Sequence, residues 1–450
     1  MSSLMPSGQS LTQELGDGLV LRQARIEDRD ALADFHVTHL SDDDVPHEAE
    51  RLRAELLDVM SGEHPYIGVG DFTLVEIKAT GQIVSSLALF SHTLTYEGIP
   101  FKFGQPEIVS THPAYRRRRL VRAQLDVIHQ WSAARGELVQ GITGIPWYYR
   151  QFGYEMALNL DGLRAGYKAQ IPSLKQGETE SCLFRPAILD DVPFIMEMYQ
   201  RSTSRSLVAA RRDESVWRYD ISGRGEQSGF RKTIQIIELE EQPGTPVGLV
   251  IHHWELRRAR LGVRLFEVRA GLPFVAVTSA VMRYLATVGA EIALRDGGSF
   301  DSVAFILGER HPVYESISQR LPCIGRPYAW YMRVPDLPAF VRHIVPSLES
   351  RLAESAQAGY SGELKVSFFR AGLRFEFDSG RVSVEAWRPE EINSGDAMFP
   401  DLTFLQLLFG FRSLEELRHA FPDCRVPSDE ALVLLPILFP KKDSNVWSGG

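Results

Sequence analysis

The chain repeats one stretch of its own sequence, and this repeat restricts the folds that it can adopt. The segment LRQARIEDRDALADFH begins at Leu21, and FRPAILDDVPFIMEMY begins at Phe184. The two segments share an arginine, an alanine, an acidic turn and apolar residues at helical spacing. Each is followed by a hairpin with a glycine turn, and then by a strand and a helix. The sequence therefore predicts two copies of one α/β unit with a mixed sheet.

Length and composition limit the class of protein. At 450 residues the chain exceeds one ordinary core, and about 150 residues per domain predicts about three domains. With 44% hydrophobic and 24% charged residues, no apolar run near the roughly 20 residues of a membrane helix and a polar start, we expect a cytoplasmic protein without membrane contact. The net charge of -9 argues against a nucleic-acid partner and favours cationic small substrates. The three cysteines have no CxxC spacing and the histidines form no second ligand cluster, so we expect no metal.

The pattern of strands, helices and turns divides the chain into four segments. A flexible tail covers residues 1–17, the first copy 18–165 and the second copy 180–335. Residues 338–450 follow as a smaller α+β unit, in which two alternating strands meet at Asp378-Ser379-Gly380 and the apolar stretch LTFLQLLFGF predicts a helix.

A cluster of arginines distinguishes the first copy from the second. In the first copy, VSTHPAYRRRRLV begins at Val109 and reads as a strand, a His-Pro step and four arginines at the start of a helix. A helix N-terminus offers free backbone N–H groups, and arginine adds bidentate phosphate donors, so this loop predicts a pyrophosphate site. A solvated helix start without any ligand is the alternative. The second copy has no such cluster.

This order of elements, followed by YYRQFGY, resembles the acetyl-CoA site of the GCN5-related N-acetyltransferase superfamily. Two such units followed by a small α+β domain resemble the enhanced intracellular survival type of that superfamily, which has tandem acetyltransferase folds and a sterol-carrier-like domain. The resemblance rests on YRRRRLVRAQL, on YYRQFGYEMAL and on the three-part order. It implies acetyl-CoA as co-substrate and a higher homo-oligomer.

The resemblance also assigns a cofactor loop. The family pattern (Q/R)xxGx(G/A) falls on Arg116, Arg119 and Val121, so both glycines are absent here. A residue other than glycine at positive φ costs on the order of 1–3 kcal/mol, unless both positions are ordinary residues of the first helical turn. The cofactor-binding residues implied are Val109, Thr111, Arg116, Arg117, Arg118, Arg119, Leu120, Val121 and Arg122.

The same resemblance assigns catalytic groups. Tyr149 is the implied acid for the leaving thiolate, with Tyr148 as the other candidate and simple aromatic packing as the alternative. Strand alternation places Glu107 on the face of Thr111 as a candidate base, or as a solvated charge at a strand edge. The family's terminal carboxylate would here be that of Gly450, after two flexible glycines. Asp42, Asp43, Asp44 and Trp147 are predicted to line the acceptor pocket, although an ordinary acidic loop also explains the aspartates.

The sequence thus predicts an acetyl-CoA-dependent N-acetyltransferase that acts on a primary amine of a small cationic molecule or on a peptide lysine. The alternative is a degenerate binding protein of the same fold, with a lipid or another apolar ligand in the C-terminal unit.

Overall fold

The computed structural model describes residues 11–41 and 47–447. Its strands are β1 Thr12–Gly16, β2 Leu19–Gln23, β3 Phe72–Ile77, β4 Ile83–Tyr96, β5 Ile99–Thr111, β6 Val139–Ile142, β7 Glu155–Leu160, β8 Leu163–Tyr167, β9 Cys182–Pro186, β10 Val208–Ala210, β11 Lys232–Leu239, β12 Pro246–His253, β13 Arg260–Val268, β14 Ser302–Phe305, β15 Cys323–Gly325, β16 Tyr328–Arg333, β17 Gly362–Ser367, β18 Gly372–Asp378, β19 Arg381–Trp387 and β20 Ala397–Met398. Its helices are α1 Arg29–Leu40, α2 Glu48–Val59, α3 Leu120–Ala134, α4 Val192–Thr203, α5 Glu214–Arg218, α6 Phe274–Arg295, α7 Pro312–Ser316, α8 Leu337–His343, α9 Val345–Ala353, α10 Phe404–Leu408, α11 Leu414–Ala420 and α12 Asp429–Leu438.

The first sheet has the strand order β1-β2-β3-β4-β5-β6-β16-β7, and β10 pairs with the end of β4. Helices α1 and α2 cover one face, with Leu32 and Leu56 in the core, and α3 covers the other face through Leu125 and Ile128. Because Thr12–Gly16 pairs with β2, the prediction of a flexible tail is wrong for that strand. Residues 1–10 lie outside the described part of the chain.

The second sheet has the order β15-β8-β14-β13-β12-β11-β9 and packs against α4 and α6. The repeated sequence makes the same ion cluster in both sheets. Arg22 binds Asp28 and Glu76 at 2.7 Å, and Arg185 binds Asp191 and Glu238 at 2.7 Å. The arginine and the acidic turn that the two segments share in sequence therefore have the same structural task in each.

The two sheets exchange strands, which the predicted boundaries did not anticipate. Strand β8 follows the first copy in sequence but pairs with β14 and β15 of the second sheet. Strand β16 ends the second copy but lies between β6 and β7 of the first sheet. The boundaries near residues 165 and 335 are therefore wrong as limits of folded units, because a hydrophobic strand pattern does not state which sheet the strand joins.

The third unit contains the sheet β19-β18-β17-β20 and the helices from α8 onward. Its core is continuous with the far end of the first sheet, and the Tyr96 hydroxyl donates to the Leu408 carbonyl at 2.8 Å. All five side chains of α10 are buried, and Phe404 packs on Phe399 and Phe439 with ring centroids 5.4 and 5.3 Å apart. The apolar stretch predicted as a helix is thus used for packing.

One helix is more apolar than composition suggested. By length and hydropathy α6, with 22 residues, could cross a membrane, contrary to our expectation that no apolar run was long enough. In this fold α6 lies against the second sheet, where side chains such as Val277, Val281 and Leu285 are fully buried. Core packing is therefore sufficient to explain its composition.

Strand exchange predicts that a residue of β16 stabilises the first unit. Trp330 is 0% exposed and packs on Phe103, whereas Tyr328 of the same strand is 43% exposed. We expect Trp330→Ala to destabilise the protein by about 3–5 kcal/mol, as a buried aromatic truncation does. Tyr328→Ala is the matched control and should change stability little. Urea unfolding followed by far-UV circular dichroism measures both, and equal midpoints for the two variants would contradict the prediction.

Candidate active site

A strained residue opens the first sheet. The pairing of β5 with β4 slips between Glu107 and Ser110, and Ile108 within the slip has φ 56°. A β-branched residue at positive φ is a true outlier and marks a β-bulge. Strand β6 pairs with β5 at Phe103 and Gly104, after which the two strands diverge. A cleft forms between the diverging ends.

The bulge corrects one prediction. Glu107 lies opposite Ala88 and Ser110 opposite Ser86, so Glu107 shares its face with Ser110 and not with Thr111. The extra residue inverts the alternation. The Thr111 hydroxyl instead lies 2.9 Å from that of Ser85, whereas Glu107 accepts hydrogen bonds from Gln105 at 2.8 Å and from Thr143 at 3.4 Å. The expectation of a common face for Glu107 and Thr111 is therefore wrong.

The arginine loop keeps the backbone shape of a glycine loop. Helix α3 begins at Leu120, and Arg119 caps it with φ 61°. Arg117 has φ 63°. Each left-handed residue costs about 1–2 kcal/mol relative to a right-handed one. Of the two positions where the family pattern has a small residue, Val121 is helical but Arg119 is not, so the alternative of two ordinary helical residues is wrong for Arg119.

The cleft beside this loop has a volume of about 1120 Å³. Four arginines reach it, and its described lining contains no aspartate or glutamate. Arg118 does not line it, because its guanidinium lies 5.0 Å above the Tyr115 ring and 3.9 Å from Asp17. The predicted cofactor residues that line the cleft are Val109, Thr111, Arg116, Arg117, Arg119, Leu120, Val121 and Arg122. Such a lining favours an anionic ligand.

Two tyrosines lie in or next to the wall of the cleft. Tyr148 lines the cleft, and Tyr149 packs against it with ring centroids 5.1 Å apart. Tyr149 is 2% exposed, and its hydroxyl forms no hydrogen bond with any residue in the described ranges. Burial, and next the charge of Glu107, raise the pKa of Tyr149. The Tyr149 hydroxyl therefore keeps its proton and has no partner among the described residues.

The exchanged strand β16 contributes a third tyrosine, which lies next to Tyr149. Tyr331 packs on Tyr149 with centroids 5.6 Å apart, and its hydroxyl accepts a hydrogen bond from the Trp147 backbone N–H. Trp147 has φ 67°, is 70% exposed, and carries the Arg150 guanidinium 4.0 Å above its ring. Trp147 is thus an exposed aromatic residue near Tyr149 that does not line the cleft.

In the second unit, the tyrosine of the short helix α7 has a hydrogen-bonded hydroxyl. The Tyr314 hydroxyl donates to the carbonyls of Phe305 at 2.8 Å and Gly308 at 3.2 Å. Helix α6 begins after Pro273 without an arginine loop. The two copies therefore differ at both features that would support chemistry, the basic loop and the free hydroxyl.

Some predicted residues cannot be placed. Asp42, Asp43, Asp44 and Gly450 lie outside the described residues. The last described residue, Trp447, is buried next to the second sheet, with Arg212 at 5.1 Å and Lys232 at 5.4 Å from its ring.

Sequence reasoning missed one acidic residue. Glu55 on α2 is half-buried and faces a second cavity of about 710 Å³. Burial raises its pKa to about 8. In sequence Glu55 does not differ from the other glutamates of AERLRAELLDV, because the groups that surround it come from distant parts of the chain.

Comparison with known proteins assigns a family to the part of the chain that contains these features. Residues 21–157 match the sequence model of the acetyltransferase (GNAT) domain. This part of the chain is therefore a GNAT acetyltransferase domain. The comparison with curated proteins found no match.

Solved structures resemble nearly the whole chain. A GCN5-related N-acetyltransferase from Kribbella flavida has a TM-score of 0.63 at 15% identity, covering 96% of this chain and 100% of that one. A probable N-acyltransferase from Enterococcus faecalis V583 has a TM-score of 0.65 at 14% identity, covering 98% and 100%. Eis1 from Mycobacterium abscessus has a TM-score of 0.55 at 13% identity, covering 96% and 99%. At these identities the likeness shows the fold.

A buried histidine beside the bulge gives a pH-dependent test. His36 of α1 is 0% exposed and its Nδ1 lies 3.0 Å from the Ser110 hydroxyl, so it holds α1 on β5. Burial, and next the charge of His39, lower the pKa of His36 from 6.5 to about 3. Below pH 6.5 the unfolded chain binds a proton at this site that the folded chain does not, so the stability from His36 is lost as pH falls.

We therefore expect the difference in unfolding free energy between the parent and His36→Gln to shrink on acidification. The loss should be about 1.4 kcal/mol per pH unit below about 6.5. Buried carboxyl groups with raised pKa values change stability with pH in the opposite direction. They are present in both the parent and the variant, so their contribution cancels in this difference. Urea titrations at pH 7.5 and 5.5 measure it, and a difference that does not change with pH would disprove the assignment.

Proposed function

We propose that the protein is an acetyl-CoA-dependent N-acetyltransferase whose acceptor is a primary amine of a small cationic molecule or a peptide lysine. The main support is one observation: a cleft beside β5, lined by four arginines and by Tyr148, against which the buried Tyr149 packs with its hydroxyl unbonded. The first GNAT copy would carry the chemistry.

The cleft fits the proposed cofactor. Its volume exceeds the roughly 300–1,000 Å³ of ordinary ligand pockets, as a long ligand requires. Arg116, Arg117, Arg119 and Arg122 would hold the pyrophosphate together with the N-terminus of α3. Val109 and Thr111 lie on the strand that borders the cleft. When bound, acetyl-CoA supplies an acyl group activated as a thioester.

Tyr149 and Glu107 would then have different roles in the reaction. Tyr149 retains its proton because its pKa is raised, and it would donate that proton to the leaving thiolate. The buried surroundings that raise the pKa of Tyr149 would also raise the pKa of the leaving thiol, because burial disfavours the charged thiolate. The difference between the pKa values of the tyrosine and the thiol is therefore smaller than the shift of Tyr149 alone would make it. Glu107 lies near enough for its charge to affect Tyr149, and burial raises the pKa of Glu107. A carboxylate in this place would attract an ammonium group.

The other two units would support the first. We propose that the second copy is a catalytically silent GNAT unit, because its tyrosine is hydrogen-bonded and its basic loop is absent. For the third unit the sterol-carrier likeness remains part of the proposal. The buried side chains of α10 give no support to the alternative function of lipid binding.

The arginines can be tested by cofactor binding. We expect Arg116→Gln or Arg117→Gln to weaken CoA binding by roughly tenfold or more, since a hydrogen bond to a charged group contributes about 1.5–3 kcal/mol. Arg118→Gln is the matched control, because Arg118 belongs to the same run but does not line the cleft. Isothermal titration calorimetry with CoA provides the measurement. Equal losses in all three variants would indicate a diffuse charge effect and contradict a specific site.

Tyr149 can be tested by removal of one oxygen atom. Tyr149→Phe keeps the buried ring, so stability and CoA affinity should change little, whereas turnover should fall by roughly 10²–10⁴-fold. Tyr148→Phe is the control, since Tyr148 lines the same cleft. Release of free thiol from acetyl-CoA in the presence of an amine library measures turnover. Turnover of Tyr149→Phe within a few-fold of the parent would disprove its role.

A further inference from the structure

The second cavity, of about 710 Å³, lies between α2 of the first unit and loops of the second unit. We propose that this cavity binds the cationic amine acceptor and that Glu55 accepts the proton that the amine must lose. This inference rests on the proposed function and adds a residue and a location to it.

Glu55 differs from neighbouring carboxylates because it has no cation of its own. Arg51 binds Glu255 at 2.6 Å and Asp296 at 3.2 Å, so those two acids are neutralised. Glu55 forms no ion pair or hydrogen bond with any residue that the structure describes. Its carboxylate would lie 2.7 Å from a Cβ at Gly229, so glycine is needed there for this close approach. The fold thus holds an unpaired carboxylate at the wall of a cavity.

The surroundings of Glu55 explain its proton affinity. Four charged groups face it: Arg257 and Arg224 favour the ionised form, while Glu255 and Glu107 oppose it. Burial is the largest effect and raises the pKa of Glu55 to about 8. A carboxylate of this basicity is closer than an ordinary one to an alkylammonium group, whose pKa is about 10.4. Glu55 is therefore suited to take a proton from a bound ammonium ion.

The cavity lies next to the cofactor cleft. Leu40, the last residue of α1, lines both cavities. Glu107 lies close enough for its charge to raise the pKa of Glu55 on one side and of Tyr149 on the other. An ammonium group attracted by Glu55 and Glu107 would therefore approach Tyr149.

The proposed transfer balances in atoms and protons. The ammonium group first gives one proton to Glu55, and the free amine then attacks the thioester carbonyl carbon. A C–N bond forms and the C–S bond breaks, and the thiolate takes the proton of Tyr149. Of the two protons left on the nitrogen, one stays on the amide and one restores Tyr149. Glu55 finally releases its proton to solvent, so the reaction yields an amide, a thiol and one H⁺.

The test uses the full chain without cofactor and spermidine as the probe. At pH 7 the carboxyl group of Glu55 is largely protonated, so an ammonium ion bound beside it should displace up to about one proton. Calorimetry in two buffers of different ionisation enthalpy measures that proton release. We expect Glu55→Gln to abolish the release and to weaken binding by roughly tenfold or more. Glu50→Gln is the matched control on α2, because Glu50 is exposed and paired with His47 at 2.8 Å.

Kinetics provide the second readout. For the parent, kcat/KM should rise with pH toward about 8, as the free enzyme ionises Glu55. Glu55→Gln should lose this limb and at least about 10²-fold in kcat/KM. No spermidine binding by the parent, or the same proton release from Glu55→Gln, would overturn the inference. A parent that binds spermidine as expected but acetylates no amine would instead overturn the proposed function.

Discussion

The exchange of strands β8 and β16 is the constraint on which the rest of the structure depends. Each exchanged strand forms hydrogen bonds on both sides within the sheet that receives it, so neither sheet is complete without the other half of the chain. The exchange also places Tyr331 next to Tyr149, on which its ring packs, and the Tyr331 hydroxyl accepts a hydrogen bond from the Trp147 backbone N–H. A side chain encoded in the second copy therefore shapes the site of the first.

Three residues at or beside the arginine-lined cleft have a strained backbone. Ile108, Arg117 and Arg119 all have positive φ, and none is glycine. Glycine at these positions would relieve strain of about 1–2 kcal/mol each. At Ile108 the strain accompanies the bulge that separates β5 from β6. At Arg117 and Arg119 the strain accompanies a gain in positive charge. A glycine would give the same loop shape but would have no side chain to donate hydrogen bonds to a phosphate group. The cleft thus combines the backbone of a glycine loop with the electrostatics of a basic one.

Much of the fold could be predicted from the sequence, because duplication and the strand-helix order are local signals. The match of Arg22 to Arg185 and of Asp28 to Asp191 predicted two related units, and the ion clusters show what the matched residues do. Three features could not be predicted. One extra residue at Ile108 inverts the alternation that placed Glu107 with Thr111. Strand patterns do not identify the sheet that a strand joins. The environment of Glu55 is built from residues that are remote in sequence, so no local motif marks it.

The second copy contributes to the candidate site of the first. It has no arginine loop, and the hydroxyl of Tyr314 is hydrogen-bonded, so it lacks the two features that the proposed chemistry would use. It nevertheless supplies one wall of the cavity at Glu55, including Gly229, Glu255 and Arg257. Two of those residues carry charges that act on Glu55 in opposite directions. If the acceptor binds there, substitutions in the loops of the second copy would change acceptor preference and leave the cofactor cleft intact. In the proposed arrangement one copy would hold the acyl donor, and both copies together would select the amine.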